Sequence, residues 1–309
     1  MTKFIIKNTT LGHISCFIAY AIFGLNIIVC KDLTTSKIIS PLALFTLRSI
    51  GAGALFWLIS LFTPKEKVDK KDFIKIFAAS VLGFFLTQLT FLIAISDITP
   101  MDCSIITSIT PINTMIIAAI VLKEPITLKK AGGVALSFCG VIYLILSSMS
   151  ATQSTVETKP IGIILIILNS LCFSLYLGIF KPIIQKYSVI TFMKWIFLFS
   201  LLLALPFSGK EIVSLNYSAL SGTFISELAF LIICATFIAY FLIPIGQKHI
   251  RPTLVSMYSY VQPILAIFIS IFLGMDTLSW QKVLAALVVF AGVILVNYSK
   301  SAKATNLHY

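Results

Sequence analysis

Residues 98–120, ITPMDCSIITSITPINTMIIAAI, lie over residues 250–272, IRPTLVSMYSYVQPILAIFISIF, by a shift of 152 positions without a gap. Pro100 then meets Pro252, Ser104 meets Ser256, Pro111 meets Pro263 and Ile112 meets Ile264. Extending the register to 142 and 294 adds Lys130 on Lys282, Phe138 on Phe290 and Gly140-Val141-Ile142 on Gly292-Val293-Ile294, so that eleven of 45 positions are identical. Shared apolar composition alone would give about 8 to 10%. A shift of 150 also superposes Phe23 on Phe173, Leu25 on Leu175 and Lys31 on Lys181, a weaker match over the earlier part of each half. The chain therefore reads as two related halves.

The material of both halves is apolar. Hydrophobic residues make up 59% and charged residues 11% of the 309 positions, with a mean hydropathy of +1.04, against roughly 25% charge in a soluble domain. No water-soluble fold hides that much apolar surface. A helix crossing the bilayer needs about 20 mostly apolar residues, and such runs predict helices over 11–31, 40–62, 73–95, 101–122, 128–147, 160–181, 189–206, 224–246, 252–273 and 280–298. The predicted fold is all-α and integral to the membrane, with ten transmembrane helices. Residues 1–147 form one five-helix repeat, 148–159 a linker and 160–309 the second repeat. Five is odd, so equivalent helices of the two halves point oppositely through the bilayer and the repeats are inverted. Inverted repeats recur in secondary transporters, where two exchangeable halves expose a midplane site alternately to either side.

The formal charge of +12 comes from lysines scattered in short gaps rather than from a basic face with interleaved aromatics, which argues against a nucleic-acid partner. It reads instead as topology. With the N-terminus inside, seventeen Lys and Arg fall on the cytoplasmic side and five on the other, which predicts a multi-pass cell-membrane protein with both termini cytoplasmic. Lys3 and Lys7 followed by the run from Leu11 resemble a signal peptide, but the run continues to Val29 without a small-residue cleavage site, so it is expected to be a retained first span. Six cysteines without a CxxC pair and three histidines predict neither disulfide framework nor metal site. No nucleotide-binding loop or hydrolase motif is present, and no cofactor or catalytic residue is expected.

Pro111 and Pro263 fall inside the fourth and ninth predicted spans, where each leaves the carbonyl four residues back, that of Thr107 or Ser259, without its helical donor. Freed backbone groups at membrane depth need protein, hydroxyls or a wet cavity, and Thr107, Thr110, Asn113, Tyr258, Ser259 and Gln262 surround the two kinks. A plain kink closed by Ser/Thr back-bonding is the alternative; symmetric placement favours a cavity. Arg48 lies about a third of the way into the second span and should face protein or water. It would hold an anionic or carboxylate group of the cargo, or else snorkel outward or pin helix-end carbonyls, and its modest depth favours the structural role. Further polar positions are Tyr20 and Asn26, Gln88, Asn169, Ser174 and Tyr176, and Tyr240. Together these form the expected substrate-binding set for a neutral or zwitterionic cargo, although any single one also suits interhelical bonding. All eleven Asp and Glu fall in gaps or at helix ends, Asp102 and Glu227 nearest a cavity mouth, which disfavours a cation pump built on a buried carboxylate. Thr127 and Ser279 read as N-caps, and Gly132, Gly133, Gly140, Ala285, Ala286 and Gly292 as close-packing positions.

Phe23-Gly24-Leu25-Asn26 followed by Lys31, Arg48 in Leu44-Phe45-Thr46-Leu47-Arg48, Leu122-Lys123-Glu124-Pro125-Ile126-Thr127 and Gly274-Met275-Asp276-Thr277-Leu278-Ser279 occur in this order. In order and spacing the chain resembles the drug/metabolite transporter superfamily, EamA type, over nearly its whole length. Phe23 replaces the usual Trp, Lys123 stands where Gly is common and Asp276 where Glu is common. The resemblance implies a central cavity lined by the first, third, fourth, sixth, eighth and ninth helices, with the fifth and tenth set aside. It implies transport of amino acids, other metabolites or toxic compounds, and an Arg48 shared by members with different cargoes. The expected function is a secondary, ATP-independent carrier, an exporter of a small polar metabolite such as an amino acid. The alternative is a membrane-embedded enzyme or lipid-handling protein. The expected partners are the lipid bilayer and a small-molecule substrate; the oligomeric state is open and compatible with a monomer.

Overall fold

A computed structural model describes residues 2–35, 38–98, 103, 106–149, 159–214, 221–272 and 280–299. Pro100, Asp102, Ser104, most of the 148–159 connection and the Gly274 to Ser279 motif lie outside the described residues, as do the side chains of Lys282, Ala285 and Ala286. Among the described residues all regular structure is helical. The order is α1 (Thr2–Thr35), α2 (Pro41–Ser60), α3 (Lys70–Ala94), α4 (Thr110–Leu122), α5 (Leu128–Met149), α6 (Pro160–Ile179), a short helix Lys181–Lys186, α7 (Val189–Ser214), α8 (Gly222–His249), α9 and α10 (Trp280–Asn297). The α9 segment is built from Pro252–Met257, a tight turn at Tyr258–Tyr260 and Val261–Phe272. Six helices, α1, α2, α3, α6, α7 and α8, are individually long and apolar enough to cross a bilayer.

Two helices carry a wide turn. Val81–Leu86 in α3 and Leu231–Ile238 in α8 are π-helical, and their first residues are separated by the 150 positions of the repeat. In each, a threonine hydroxyl donates to the carbonyl five residues back at 2.6 Å, Thr87 to Leu82 and Thr236 to Leu231. Elsewhere in the bundle, as at Thr46, Thr90 and Thr114, the carbonyl reached is four residues back, as α-helical pitch requires.

Two expected helix limits are corrected. The seventh helix, expected to end at 206, runs on to Ser214 with Pro206 inside it. The proline forfeits one backbone bond, and the turns beyond it are anchored sideways to α2. The Glu211 carboxylate accepts from Ser40 N–H at 2.8 Å and from Ser40 Oγ at 2.6 Å, and Thr46 Oγ1 and Ser208 Oγ lie 2.7 Å apart. Ser40 in turn caps α2 by accepting from Ala43 N–H, which satisfies one of the orphan donors at a helix start. Glu211, expected in a gap, is thus a helical residue. The fourth helix is not continuous over 101–122 either: the chain turns at Ser108 and Ile109, and α4 starts at Thr110 with Pro111 in its first turn. Proline is tolerated there because the missing N–H would be unbonded anyway. Pro263 likewise sits in the first turn of Val261–Phe272, after the Tyr258–Tyr260 turn. Both breaks precede their prolines.

Two lysines paired by the repeat cap paired carbonyls. Lys31 donates to the carbonyls of Ile95, Ser96 and Ile98, and Lys181 to that of Ile250 at 2.6 Å. Gly12 packs against His249 and Ile250, and Lys31 lies nineteen residues further along α1, about 28 Å at the helical rise. The two lysines therefore occupy opposite ends of the bundle. At the Gly12 end, Lys186 bonds Asp69 and, at 2.6 Å, Asp72, which also accepts from Tyr187 at 2.8 Å. The two carboxylates hold the Lys186 ammonium above its ordinary range. These contacts tie the connection before α3 to the one before α7.

Membrane helices associate through close packing and buried polar bonds, since lipid is as apolar as leucine. The rings of Phe56 on α2, Phe84 on α3, Phe197 on α7 and Tyr240 on α8 form one cluster, with centroids 4.4 Å apart for Phe84 and Phe197 and 4.9 Å for Phe84 and Tyr240. The α5 and α10 helices pair with each other through Gly133, Gly140 and Gly292, and Ser137 Oγ donates to the Val289 carbonyl at 2.9 Å. Gly132 faces open space. The bend from α4 to α5 passes through Lys123, whose φ of 53° is left-handed. Beside it the buried Glu124 pairs with the fully buried Lys130 and accepts from Thr253 Oγ1 at 3.3 Å, which joins this bend to α9.

Candidate functional site

Between α1, α3, α4, α6, α8 and α9, the six helices that the resemblance implies, lies a cavity with about 590 Å³ of space not filled by protein atoms. Its wall is Tyr20, Phe23, Asn26 and Ile27 of α1, Thr87, Gln88 and Phe91 of α3, Thr107 and Thr110 around the break before Pro111, Asn169 and Phe173 of α6, Tyr240 of α8, and Ser259 and Gln262 around the turn before Pro263. Both halves contribute. Breaking α4 and α9 ahead of their prolines brings Thr107, Thr110, Ser259 and Gln262 to the wall. The wide turn of α3 ends at Thr87, so the next turn presents Thr87, Gln88 and Phe91 together.

The wall carries no charged side chain. Its polar groups are partly satisfied. The Gln88 amide donates to Tyr240 Oη at 2.6 Å, joining the third helix of one half to the eighth of the chain, and Asn169 Nδ2 donates to the Thr87 carbonyl. Thr110 Oγ1 and Ser170 Oγ lie 2.8 Å apart. Three buried polar atoms of the wall have no hydrogen-bond partner: Tyr20 Oη, Gln88 Oε1 and Ser259 Oγ. An unsatisfied buried polar group costs on the order of 1–3 kcal/mol, and protein interiors rarely leave three beside one cavity. Two hydroxyls and one amide oxygen can donate to and accept from the same small molecule. The aromatic part of the wall is continuous with the buried rings, since Phe23 lies 5.8 Å from Tyr20 and 5.6 Å from Tyr240.

Nine of the residues expected to bind substrate line this cavity: Tyr20, Asn26, Gln88, Thr107, Thr110, Asn169, Tyr240, Ser259 and Gln262. Five stand elsewhere. Asn113 donates to Ser170 Oγ at 3.4 Å and Ser174 to the Thr110 carbonyl at 3.2 Å, so both hold α4 against α6. Tyr176 is 3% exposed and its ring covers Gly83 in the wide turn of α3. The Tyr258 hydroxyl is 2.8 Å from His13 Nδ1, in a different groove. Arg48, 1% exposed, lies behind the wall: its Nε donates to Thr236 Oγ1 at 2.8 Å and one terminal nitrogen to Cys30 Sγ at 3.7 Å, Cys30 in turn donating to Asn26. Its other terminal nitrogen is buried without a partner. Four apolar wall residues, Phe23, Ile27, Phe91 and Phe173, and the polar Thr87 were not in the expected set. Phe23 and Phe173 are superposed by the 150-residue shift, and that pairing is the signal that marks them.

Residues 10–146 match the EamA-like transporter family, and residues 160–298 match it a second time. A protein of Bacillus subtilis (strain 168) named "Uncharacterized transporter YetK" is 25% identical over 271 residues, covering 86% of this chain and 80% of that one. The "Uncharacterized inner membrane transporter YicL" of Salmonella typhimurium is 21% identical over 304 residues, 96% of this chain and 98% of its own. A solved crystal structure superposes with a TM-score of 0.70 at 16% identity, covering 94% of this chain and 96% of its own, a likeness of fold.

Proposed function

This chain belongs to the EamA-like transporter family and is a membrane transporter, and from that premise we propose that it is a secondary carrier exporting one small polar metabolite, such as an amino acid, through the cavity between α1, α3, α4, α6, α8 and α9. The observation that carries the reading is the convergence of Tyr20 Oη, Gln88 Oε1 and Ser259 Oγ, all buried and unpartnered, on one uncharged cavity. A neutral or zwitterionic molecule with both donors and acceptors fits that set. Tyr20, Asn26, Gln88, Thr107, Thr110, Asn169, Tyr240, Ser259 and Gln262 are the contacts we assign to it. The breaks ahead of Pro111 and Pro263 supply irregular backbone of the kind that membrane proteins tolerate where it is buried in protein or lines a cavity.

In this reading the halves are two inverted five-helix repeats, ten spans in all, that rock about the site with both termini in the cytoplasm. The second family match, the repeat register and the placement of Lys31 and Lys181 at opposite ends of the bundle support it. The export direction rests on the family resemblance. Purified protein in liposomes, assayed with a panel of labelled amino acids and related metabolites, tests the proposal. At least one member is expected to cross, and Tyr20→Phe and Gln88→Ala are expected to raise its KM about 2- to 10-fold, the range of one lost hydrogen bond. No movement of any panel member, or an unchanged KM in both variants, overturns it.

A further inference from the structure

A second groove, with about 830 Å³ of empty space, opens on the outside of the bundle between α1, α9 and α10. Its rim is made of Ile14, Phe17, Phe290 and Ile294, each 40% or more exposed, and its floor of buried residues including Met257, Val261 and Val289. A rim of exposed apolar side chains on a membrane protein faces hydrocarbon. The floor is not purely apolar, however. Tyr260, 0% exposed, has no partner for its hydroxyl, and Nε2 of His13 is likewise buried and unpartnered. The other ring nitrogen of His13, Nδ1, lies 2.8 Å from Tyr258 Oη. With the phenol donating to Nδ1, the imidazole proton sits on Nε2. Two unpartnered donors, Nε2–H and the Tyr260 O–H, then lie just beneath a groove lining whose other polar group is the Tyr258 hydroxyl, already bonded to His13.

That combination selects a particular chemistry. Water would satisfy the donors but not the apolar length of the groove. A hydrocarbon chain alone would fill the length and leave both donors bare, which is costly in a medium without water. An acyl ester answers both demands, because its carbonyl oxygen accepts and carries no donor while its chain is apolar. We propose that this groove holds one glycerophospholipid, with ester carbonyl oxygens on His13 and Tyr260 and an acyl chain along Phe17, Val261, Phe290 and Val293. The headgroup end is the end of α1 where Gly12 packs on His249 and Ile250 and where Arg251 donates to the last carbonyls of α10, Val296 and Asn297, so phosphate meets basic residues there. The site stands apart from the transport cavity, with which it shares no lining residue.

The test uses the full chain, purified, delipidated and incubated with dioleoyl phosphatidylglycerol or with its ether-linked analogue, which lacks the carbonyl oxygens. Retained lipid is counted by native mass spectrometry. One ester lipid per chain is expected, held at least about fivefold more tightly than the ether analogue, the low end of the range for two net hydrogen bonds. Tyr260→Phe is expected to shrink that preference, and His13→Ala combined with Tyr260→Phe to abolish it. Ile294→Trp, at the rim, is expected to expel the lipid without touching either donor. Equal retention of ester and ether lipids by the native chain signals bulk lipid only and overturns the proposal. So does a dimer that Ile294→Trp disperses, which would make a second copy the occupant. Tyr20→Phe, in the transport cavity, is expected to leave lipid retention unchanged, so this proposal and the carrier reading fail separately.

Discussion

Lys123 is the one non-glycine residue with positive φ among the described residues, in the bend where the family resemblance leads one to expect glycine. A side chain in the left-handed region costs about 1 kcal/mol because Cβ crowds the following carbonyl, and the lysine is exposed. Lys123→Gly is therefore expected to stabilise the protein by about 0.5–1 kcal/mol, read as a rise in the detergent-solubilised unfolding midpoint. A fall in the midpoint would show that the lysine does more than turn the chain. Its neighbour behaves oppositely. Glu124, 8% exposed, is the anion facing Lys130, 0% exposed, and Glu124→Gln leaves a buried ammonium unpaired. The expected loss is about 3–5 kcal/mol, and Lys130→Met in the same chain should recover most of it, since an apolar side chain needs no counter-charge. Equal midpoints for Glu124→Gln and the native chain would remove the ion pair from the account of this bend.

Elements pack according to what their small residues allow. A Cβ on Gly292 would lie 2.1 Å from Ser137 Oγ and 2.5 Å from the Gly133 carbonyl oxygen, the second being backbone that cannot step aside. Gly292→Ala should cost about 1–3 kcal/mol by forcing α5 and α10 apart, whereas Gly132→Ala, facing open space, should be neutral or stabilising by up to about 1 kcal/mol. Thermal unfolding of the two variants side by side checks this, and equal effects would refute the glycine contact. The same elements mark what was legible in the sequence. Run length and hydropathy place the helices, and the matched glycines announce the α5–α10 contact. Local rules misplace the ends: α7, expected to end at 206, carries Pro206 inside it because Glu211 and Ser208 hold its far turns to α2, which no local rule sees. Polar positions within apolar runs marked Tyr20, Asn26 and Gln88 of the wall but could not separate Asn113 and Ser174, spent on the α4–α6 contact, from Thr110, which does both. Apolar wall residues such as Phe91 look like any lipid-facing phenylalanine until their neighbours are known.

At the scale of the molecule the two lysine caps, Lys31 on Ile98 and Lys181 on Ile250, lie at opposite ends of the bundle. Each exchanged singly for cysteine and probed with an impermeant thiol reagent in intact cells and inside-out vesicles, they are expected to label from opposite faces of the membrane. Labelling of both from one face would overturn the inverted arrangement and the carrier built on it. The wide turns of α3 and α8 bear on the same bundle in another way. Each holds one residue more than an α-helix of the same rise needs. If one position between Leu82 and Thr87 were deleted, the threonine would stand four residues from the carbonyl it already reaches, and both ends of α3 would stay where they are. A deletion anywhere else in that helix turns everything beyond it by about 100° and carries either the aspartates at one end or Gln88 and Phe91 at the other away from their places. In each half the chain keeps its spare length at a point where shortening by one residue would leave the two ends of the helix in place.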